Sequence, residues 1–169
     1  MKNTDTTAAS SATPTPVDAA TRVAIDQLLA EYNFLLDHGR ADELWTLVAE
    51  EFVSHGPMGV MDGRDALKAW GARRVTQDAG EVRHFTGGTS LRWEDGALTG
   101  VTYYMTFRST LPEPTHPASV GEFHQTFVEV DGVWKIRSRD VVAVFGGANA
   151  AAHAQRVSGS PSDRTEGQK

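Results

Sequence analysis

Three side chains of the kinds that move protons stand out in this sequence: Tyr32, Asp37 and His84. A phenol, a carboxylate and an imidazole are the raw material of a general acid/base site, and histidine, with an ordinary pKa near ~6.5, is the natural proton carrier at neutral pH. Taken alone, His84 reads better as a strand histidine that satisfies a backbone partner than as a catalyst. Asp37 shifts that balance. It falls in the last turn of a helix, facing the negative end of the macrodipole, a location unfavourable by roughly 0.3–1 kcal/mol, so a compensating partner is expected. His84 can be that partner, the carboxylate fixing the ring tautomer and raising its basicity. The plainer alternative is an exposed aspartate beside a C-cap glycine. Tyr32 lies on the apolar stripe of the same helix, so its ring is core and only its hydroxyl is available for chemistry. On an ideal helix Tyr32 and Asp37 point about 140° apart, so both reach one pocket only if the pocket wraps around the helix end or the last turn loosens.

The elements that position these groups follow from periodicity. Ile25, Leu28, Leu29, Tyr32, Leu35 and Leu36 recur at three- and four-residue spacing and mark a first helix that Gly39 closes. A second helix is expected from Ala41 to Glu50. Gly63-Arg64-Asp65 opens a third, with Ala66, Leu67, Trp70 and Val75 as its buried stripe. Between the second and third, Phe52 to Met61 reads as an irregular small hairpin. From His84 onward the pattern is β, with strands over 84–93, 98–109, 121–130 and 133–143. Asp95-Gly96 and Asp131-Gly132 are two-residue hairpin turns, and the prolines of 111–117 separate the middle pair. Helices first and a long antiparallel meander afterwards make an α+β domain over 18–147, with the helices on one face of the sheet. The Ser-, Thr-, Ala- and Pro-rich ends, 1–17 and 148–169, read as disordered tails.

Composition bounds the function. A chain of 169 residues, 40% hydrophobic and 8% aromatic, suits one domain with a real core. A net charge of -6, with 16 basic residues scattered among 22 acidic ones, argues against nucleic acid as a partner. The absence of cysteine excludes disulfides, thiolate nucleophiles and Cys-ligated zinc. No signal-peptide core and no run of roughly 18 apolar residues is present, so a cytoplasmic protein without membrane partners is expected. No His-x-x-x-His or carboxylate-rich spacing suggests a metal, and Gly87-Gly88 sits inside a strand rather than in a phosphate loop, where it bends the strand or makes room for a ligand. Neither metal nor cofactor is expected.

Two-residue turns fix register, and register decides which residues share a face. About Asp131-Gly132, Phe123 falls opposite Asp140, Gln125 opposite Ser138, Phe127 opposite Ile136 and Glu129 opposite Trp134, a face suited to a pocket wall. The reverse carries His124, Thr126, Val128, Lys135, Arg137 and Arg139. About Asp95-Gly96, His84 shares its face with Tyr103, Met105 and Phe107, while Phe85, Leu91, Trp93 and Leu98 lie behind. A bulge in either strand would reverse these assignments. Of the other histidines, His55 precedes Gly56-Pro57 and is a candidate for the pocket mouth; His124 is placed outside, opposite Arg139, and His38, His116 and His153 in turn, loop and tail.

The run Tyr32-x4-Asp37-x-Gly39-x4-Leu44, then Gly63-Arg64-x-Ala66-Leu67, Arg83-His84, and Gly121-x-Phe123-x-Gln125 ending in Asp131-Gly132-x-Trp134-Lys135-Ile136, resembles the SnoaL-like branch of the NTF2-like superfamily, which includes scytalone dehydratase, bile-acid 7α-dehydratase and related isomerases and cyclases. The resemblance covers roughly residues 18–145. It implies a strongly curved sheet forming a cone, helices closing one side and a pocket inside. It also implies that Tyr32, Asp37 and His84 face that pocket. Two positions depart from the common pattern: Gly88, where the family often has Asn, and Gln125, where it is often acidic.

The resulting expectation is a cofactor-independent lyase, a dehydratase, acting on a small hydrophobic carbonyl-bearing molecule of polyketide, terpenoid or steroid-like type. His84, oriented by Asp37, is the base and Tyr32 the acid or oxyanion donor. Tyr103, Met105, Phe107, Phe123, Phe127 and Trp134 supply apolar walls, with Gln125 and His55 as polar groups. The same parts suit isomerisation, cyclisation or epoxide opening, and a non-catalytic binding or dimerisation module is the rival from another class. An exposed β-branched strip of Thr126, Val128, Val130 and Val133, rimmed by charge, and the resemblance itself point to a homodimer through the outer sheet face.

Overall fold

The computed structural model describes residues 15–57, 59–78 and 81–145. The expected tails lie outside these residues except for 15–17, as do His153 and the last two residues of the expected domain. Helix α1 spans Ala19–Asp37, a turn of 3-10 helix follows at Ala41–Leu47, and then come β1 (Val48–Gly56), β2 (Gly59–Asp62), α2 (Arg64–Asp78), β3 (Val82–Glu94), β4 (Ala97–Arg108), β5 (Ser119–Val130) and β6 (Val133–Phe145). The six strands form one curved sheet in the order β2-β1-β6-β5-β4-β3, antiparallel throughout except for β1 beside β6. This is the expected α+β architecture, with the helices over the concave face.

Local chemistry accounts for the ends of α1. The Asp18 side chain accepts from the Thr21 N–H at 2.9 Å as N-cap. At the other end Gly39 takes a φ of 74°, and the Arg40 N–H closes back on the Leu35 carbonyl at 2.9 Å. Ile25, Leu28, Leu29, Tyr32 and Leu35 are buried, meeting Leu44, Phe52, Leu67, Leu98 and Ile136 in the core. Both Asp-Gly turns hold positive φ at each residue, 48° and 81° at Asp95-Gly96 and 51° and 77° at Asp131-Gly132, as a two-residue turn with the strands' own twist requires. Among the described residues no helix is long and apolar enough to cross a membrane.

Three expectations need correction. The second helix ends early: Val48 to Gly56 is a strand, because pairing with β6 buries Val48 and Phe52, and tertiary burial outweighs local helix preference. In β3 the register shifts between Thr86 and Thr89, where three residues of β3 span two of β4 at Gly87-Gly88. His84 therefore faces inward with Leu91 and Trp93, opposite Thr106 and beside Tyr104. Tyr103, Met105 and Phe107 point outward with Phe85; Tyr103 is 66% exposed and Met105 42%. In β6 a second shift falls between Ile136 and Ser138. Phe127 still faces Ile136 and Glu129 faces Trp134, but beyond the bulge Phe123 faces Val141 and Gln125 faces Arg139. Arg139, expected outside, is thereby buried, and Asp140, expected inside, is exposed opposite His124.

Helix α2 approaches the 41–47 turn closely enough that a Cβ on Gly71 would lie 2.1 Å from the Ala41 carbonyl oxygen. A Cβ on Gly88, in the β3 bulge, meets nothing within 4 Å. Gly71→Ala is expected to destabilise the protein by about 2 kcal/mol or more in urea unfolding, since backbone must move, and Gly88→Ala by less than ~0.5 kcal/mol. Equal effects would mean that α2 does not seat on that turn as described.

Candidate active site

Asp37 ends α1 and His84 lies near the start of β3, and the two elements meet through them. The His84 ring Nδ1 is 2.5 Å from one Asp37 carboxylate oxygen, and the His84 backbone N–H donates to the other at 2.7 Å. Both side chains are nearly sealed from solvent, 11% exposed for His84 and 7% for Asp37. An ionised carboxylate only accepts, so the proton of a neutral ring sits on Nδ1 and Nε2 is left as a base. Nε2 makes no hydrogen bond to the described residues. The angular problem on the helix disappears: Asp37 lies behind the imidazole, so Tyr32 and His84 reach the cavity and Asp37 need not.

That cavity has a volume of about 90 Å³, and Tyr32 and His84 both line it. Burial pulls the His84 pKa below its ordinary value; Asp37 opposes this, and the guanidiniums of Arg139 and Arg108 reinforce it. His84 is therefore neutral, and competent as a base, at neutral pH. Burial pushes the Tyr32 hydroxyl up, with Arg139 opposing, so it stays protonated and able to donate.

Only one of the expected wall residues lines the cavity: Phe123, stacked on Tyr104 at 4.2 Å. Tyr103, Met105 and Phe107 lie on the outer face of β4, and the β3 bulge brings His84 to the opposite, inner face. Gln125, Phe127 and Trp134 face inward but further along the sheet. Gln125 accepts from the Thr102 hydroxyl at 3.3 Å, Phe127 packs in the core, and Trp134 lies 6.3 Å from Trp93. His55 is on the surface, its Nδ1 2.7 Å from an Asp140 oxygen, rather than at the mouth.

Sequence reasoning missed Arg74, Arg108 and Arg139, all buried and all on the cavity wall. It also missed Tyr104, whose hydroxyl lies 2.9 Å from that of Ser119. Tyr104, Thr106 and Arg108 alternate along β4, a visible signal assigned to the wrong face by a bulge-free register. Among the described residues no three His, Asp or Glu side chains converge as metal ligands would.

The sequence matches the SnoaL-like domain family over residues 17–140. This protein belongs to the SnoaL-like family. Its fold is shared with a Mycobacterium tuberculosis protein of unknown function (TM-score 0.70, 17% identity, 82% of this chain and 86% of that one covered). It is shared also with Aln2 from a Streptomyces species (TM-score 0.65, 17% identity, 76% and 94% covered). A third similar structure is a candidate scytalone dehydratase from Novosphingobium aromaticivorans (TM-score 0.59, 21% identity, 75% and 85% covered). No curated protein gives a significant match. At these identities the structural likeness is one of fold, and the chemistry of this SnoaL-like protein rests on its own residues.

The lowered His84 pKa has a consequence for stability. Between that value and 6.5 the unfolded chain binds more protons than the folded one, so stability falls as pH drops through this window. In urea unfolding compared at about pH 7.5 and about pH 5.5, the loss on acidification is expected to be smaller in His84→Gln than in the wild type. An undiminished loss in the variant would mean that other groups carry the effect.

Proposed function

We propose that this SnoaL-like protein is a cofactor-independent acid/base enzyme of the cytoplasm, a dehydratase by preference, acting on a small, largely apolar molecule with a carbonyl group. The observation that carries this reading is the His84 imidazole bonded through Nδ1 to Asp37 while the same residue lines a cavity. A histidine packed into a filled cone would have favoured a non-catalytic binder; a cavity beside it favours chemistry.

In the proposed reaction Nε2 of His84 takes a proton from the carbon next to the carbonyl. The electron pair of that C–H bond becomes an enolate, and Asp37 stabilises the resulting imidazolium. Tyr32 donates a hydrogen bond to the enolate oxygen, in which case the His84 imidazolium returns its proton to the departing β-hydroxyl group, or Tyr32 itself donates a proton to that hydroxyl. Collapse of the enolate breaks the C–O bond, water departs and a conjugated double bond remains. With no leaving group, reprotonation at a different carbon makes the same parts an isomerase.

The test is α-proton exchange in D2O, followed by NMR, across a panel of small cyclic ketones and β-hydroxyketones with and without a carboxylate substituent. Exchange or elimination by the wild type is expected to fall roughly 10²-fold or more in His84→Gln. Near-native rates in a folded variant would make His84 structural and end this reading.

A homodimer through the outer sheet face is proposed as well. Val130 and Val133 are exposed as expected, but the broader apolar area lies at the other end of the face, around a hollow lined by Phe85, Tyr103, Met105, Val144 and Phe145. Phe85, Tyr103 and Phe145 are each more than half exposed, a larger apolar display than a lone chain ordinarily leaves in water. Light scattering at micromolar concentration is expected to give the mass of two chains for the wild type and of one for Tyr103→Glu. A single-chain mass for the wild type would refute the dimer.

A further inference from the structure

Arg139 carries a charge for which the described residues supply no carboxylate. The β6 bulge turns it inward, where it is 5% exposed, its guanidinium carbon 3.8 Å from the Phe123 ring centroid and 4.3 Å from that of Tyr32. No described Asp or Glu lies within ion-pair distance of it, and its Nη1 is buried with no hydrogen-bond partner. A guanidinium stays charged in proteins, and taking it out of water carries a penalty that two ring faces offset only in part. The cavity wall carries Arg74, Arg108 and Arg139 and the neutral imidazole of His84, and no described Asp or Glu lines it. Asp37, behind that wall, already has both carboxylate oxygens engaged by His84.

We propose that the cavity binds a small organic acid, its carboxylate on Arg139 between Tyr32 and Phe123 and its apolar body against Leu36, Met61 and Trp70. A planar carboxylate matches the guanidinium fork in shape and supplies the missing counter-charge, and Leu36, Met61 and Trp70 offer an apolar seat for a hydrocarbon body. The proposal deepens the acid/base reading and rests on it for the reaction: the carboxylate anchors one end of the molecule so that a carbon elsewhere on it meets His84. Substrate class then narrows from carbonyl compounds in general to keto and hydroxy acids. The binding claim itself needs no turnover.

Benzoate and benzamide, nearly equal in shape and unequal in charge, are the probes. Titrated into the wild type and followed by amide chemical shifts, benzoate is expected to bind at least ten-fold more tightly than benzamide, with perturbations centred on residues 32, 84, 123 and 139. Arg139→Met is expected to abolish that preference without lowering the melting temperature, since an apolar side chain replaces a buried charge. His84→Gln is expected to keep it. Benzoate binding no tighter than benzamide, including no binding of either, overturns the proposal, and so does a preference that survives in Arg139→Met. Inorganic phosphate competing as well as benzoate also overturns it, marking a general anion site. Loss of the benzoate preference alongside His84-dependent exchange on neutral ketones would remove the organic acid and leave the acid/base reading intact. Benzoate preference without exchange on any ketone would do the reverse.

Discussion

The contact between the Asp37 carboxylate and His84 decides how the helical layer meets the sheet. A carboxylate at a helix C-terminus faces the negative end of the dipole, and a buried one needs hydrogen bonds to both oxygens. His84 provides them, one from the ring and one from the backbone, and Arg83 adds a guanidinium donor to the Asp37 carbonyl at 2.9 Å. A single short stretch of β3 thus answers the acceptors and the dipole at the end of α1. Charge-assisted bonds of this kind are roughly twice as strong as neutral ones, and they fix the helix end in both translation and rotation. Tyr32, earlier on the same rigid helix, is consequently aimed at the cavity His84 lines. Tyr32 and His84 are set by one tie rather than placed independently.

The second constraint is curvature. A sheet that wraps around a cavity cannot keep an unbroken ladder, and here the strain is released by register shifts in β3 and β6. Each shift exchanges the faces of the strand beyond it. In β3 the exchange brings His84 onto the same face as Leu91 and Trp93; in β6 it brings Arg139 inward and sends Asp140 out. His84 and Arg139 lie beyond the shifts at Gly87-Gly88 and at Arg137, measured from the hairpin turns, so their place in the lining is set by where these shifts fall.

This explains what could be read from the sequence and what could not. Element order, both Asp-Gly turns, the stripe of α1 and the Asp37–His84 contact are legible because they depend on local periodicity, on turn chemistry and on the demand of one misplaced carboxylate. Near the turns the face assignments hold, as at Phe127 opposite Ile136. Farther away they fail, because a bulge leaves little trace in single-residue preferences: Gly87-Gly88 marks one, but nothing about Arg137 marks the other. The missed arginines share a second cause. Buried guanidiniums read as surface residues by composition, since charged side chains are seldom buried without partners. The loss of Val48 to Glu50 from the expected helix has a different origin, the pull of a parallel pairing with β6 that only the assembled sheet supplies.

Arg139 joins the fold to the chemistry through its field. It lowers the proton affinity of His84 and opposes the rise that burial imposes on Tyr32, so one charge acts on the imidazole and the phenol in the same direction. For the imidazole this keeps the neutral form available for proton abstraction. For the phenol it holds back a burial effect that would otherwise make the hydroxyl a poorer donor. The same charge would resist formation of an imidazolium in the transition state, and here Asp37 enters again, since its carboxylate raises the proton affinity of the ring that Arg139 lowers. An anion seated on Arg139 would mute the guanidinium's field when ligand is bound. On the proposed reading, the imidazole would be neutral in the empty site and more able to accept a proton in the filled one.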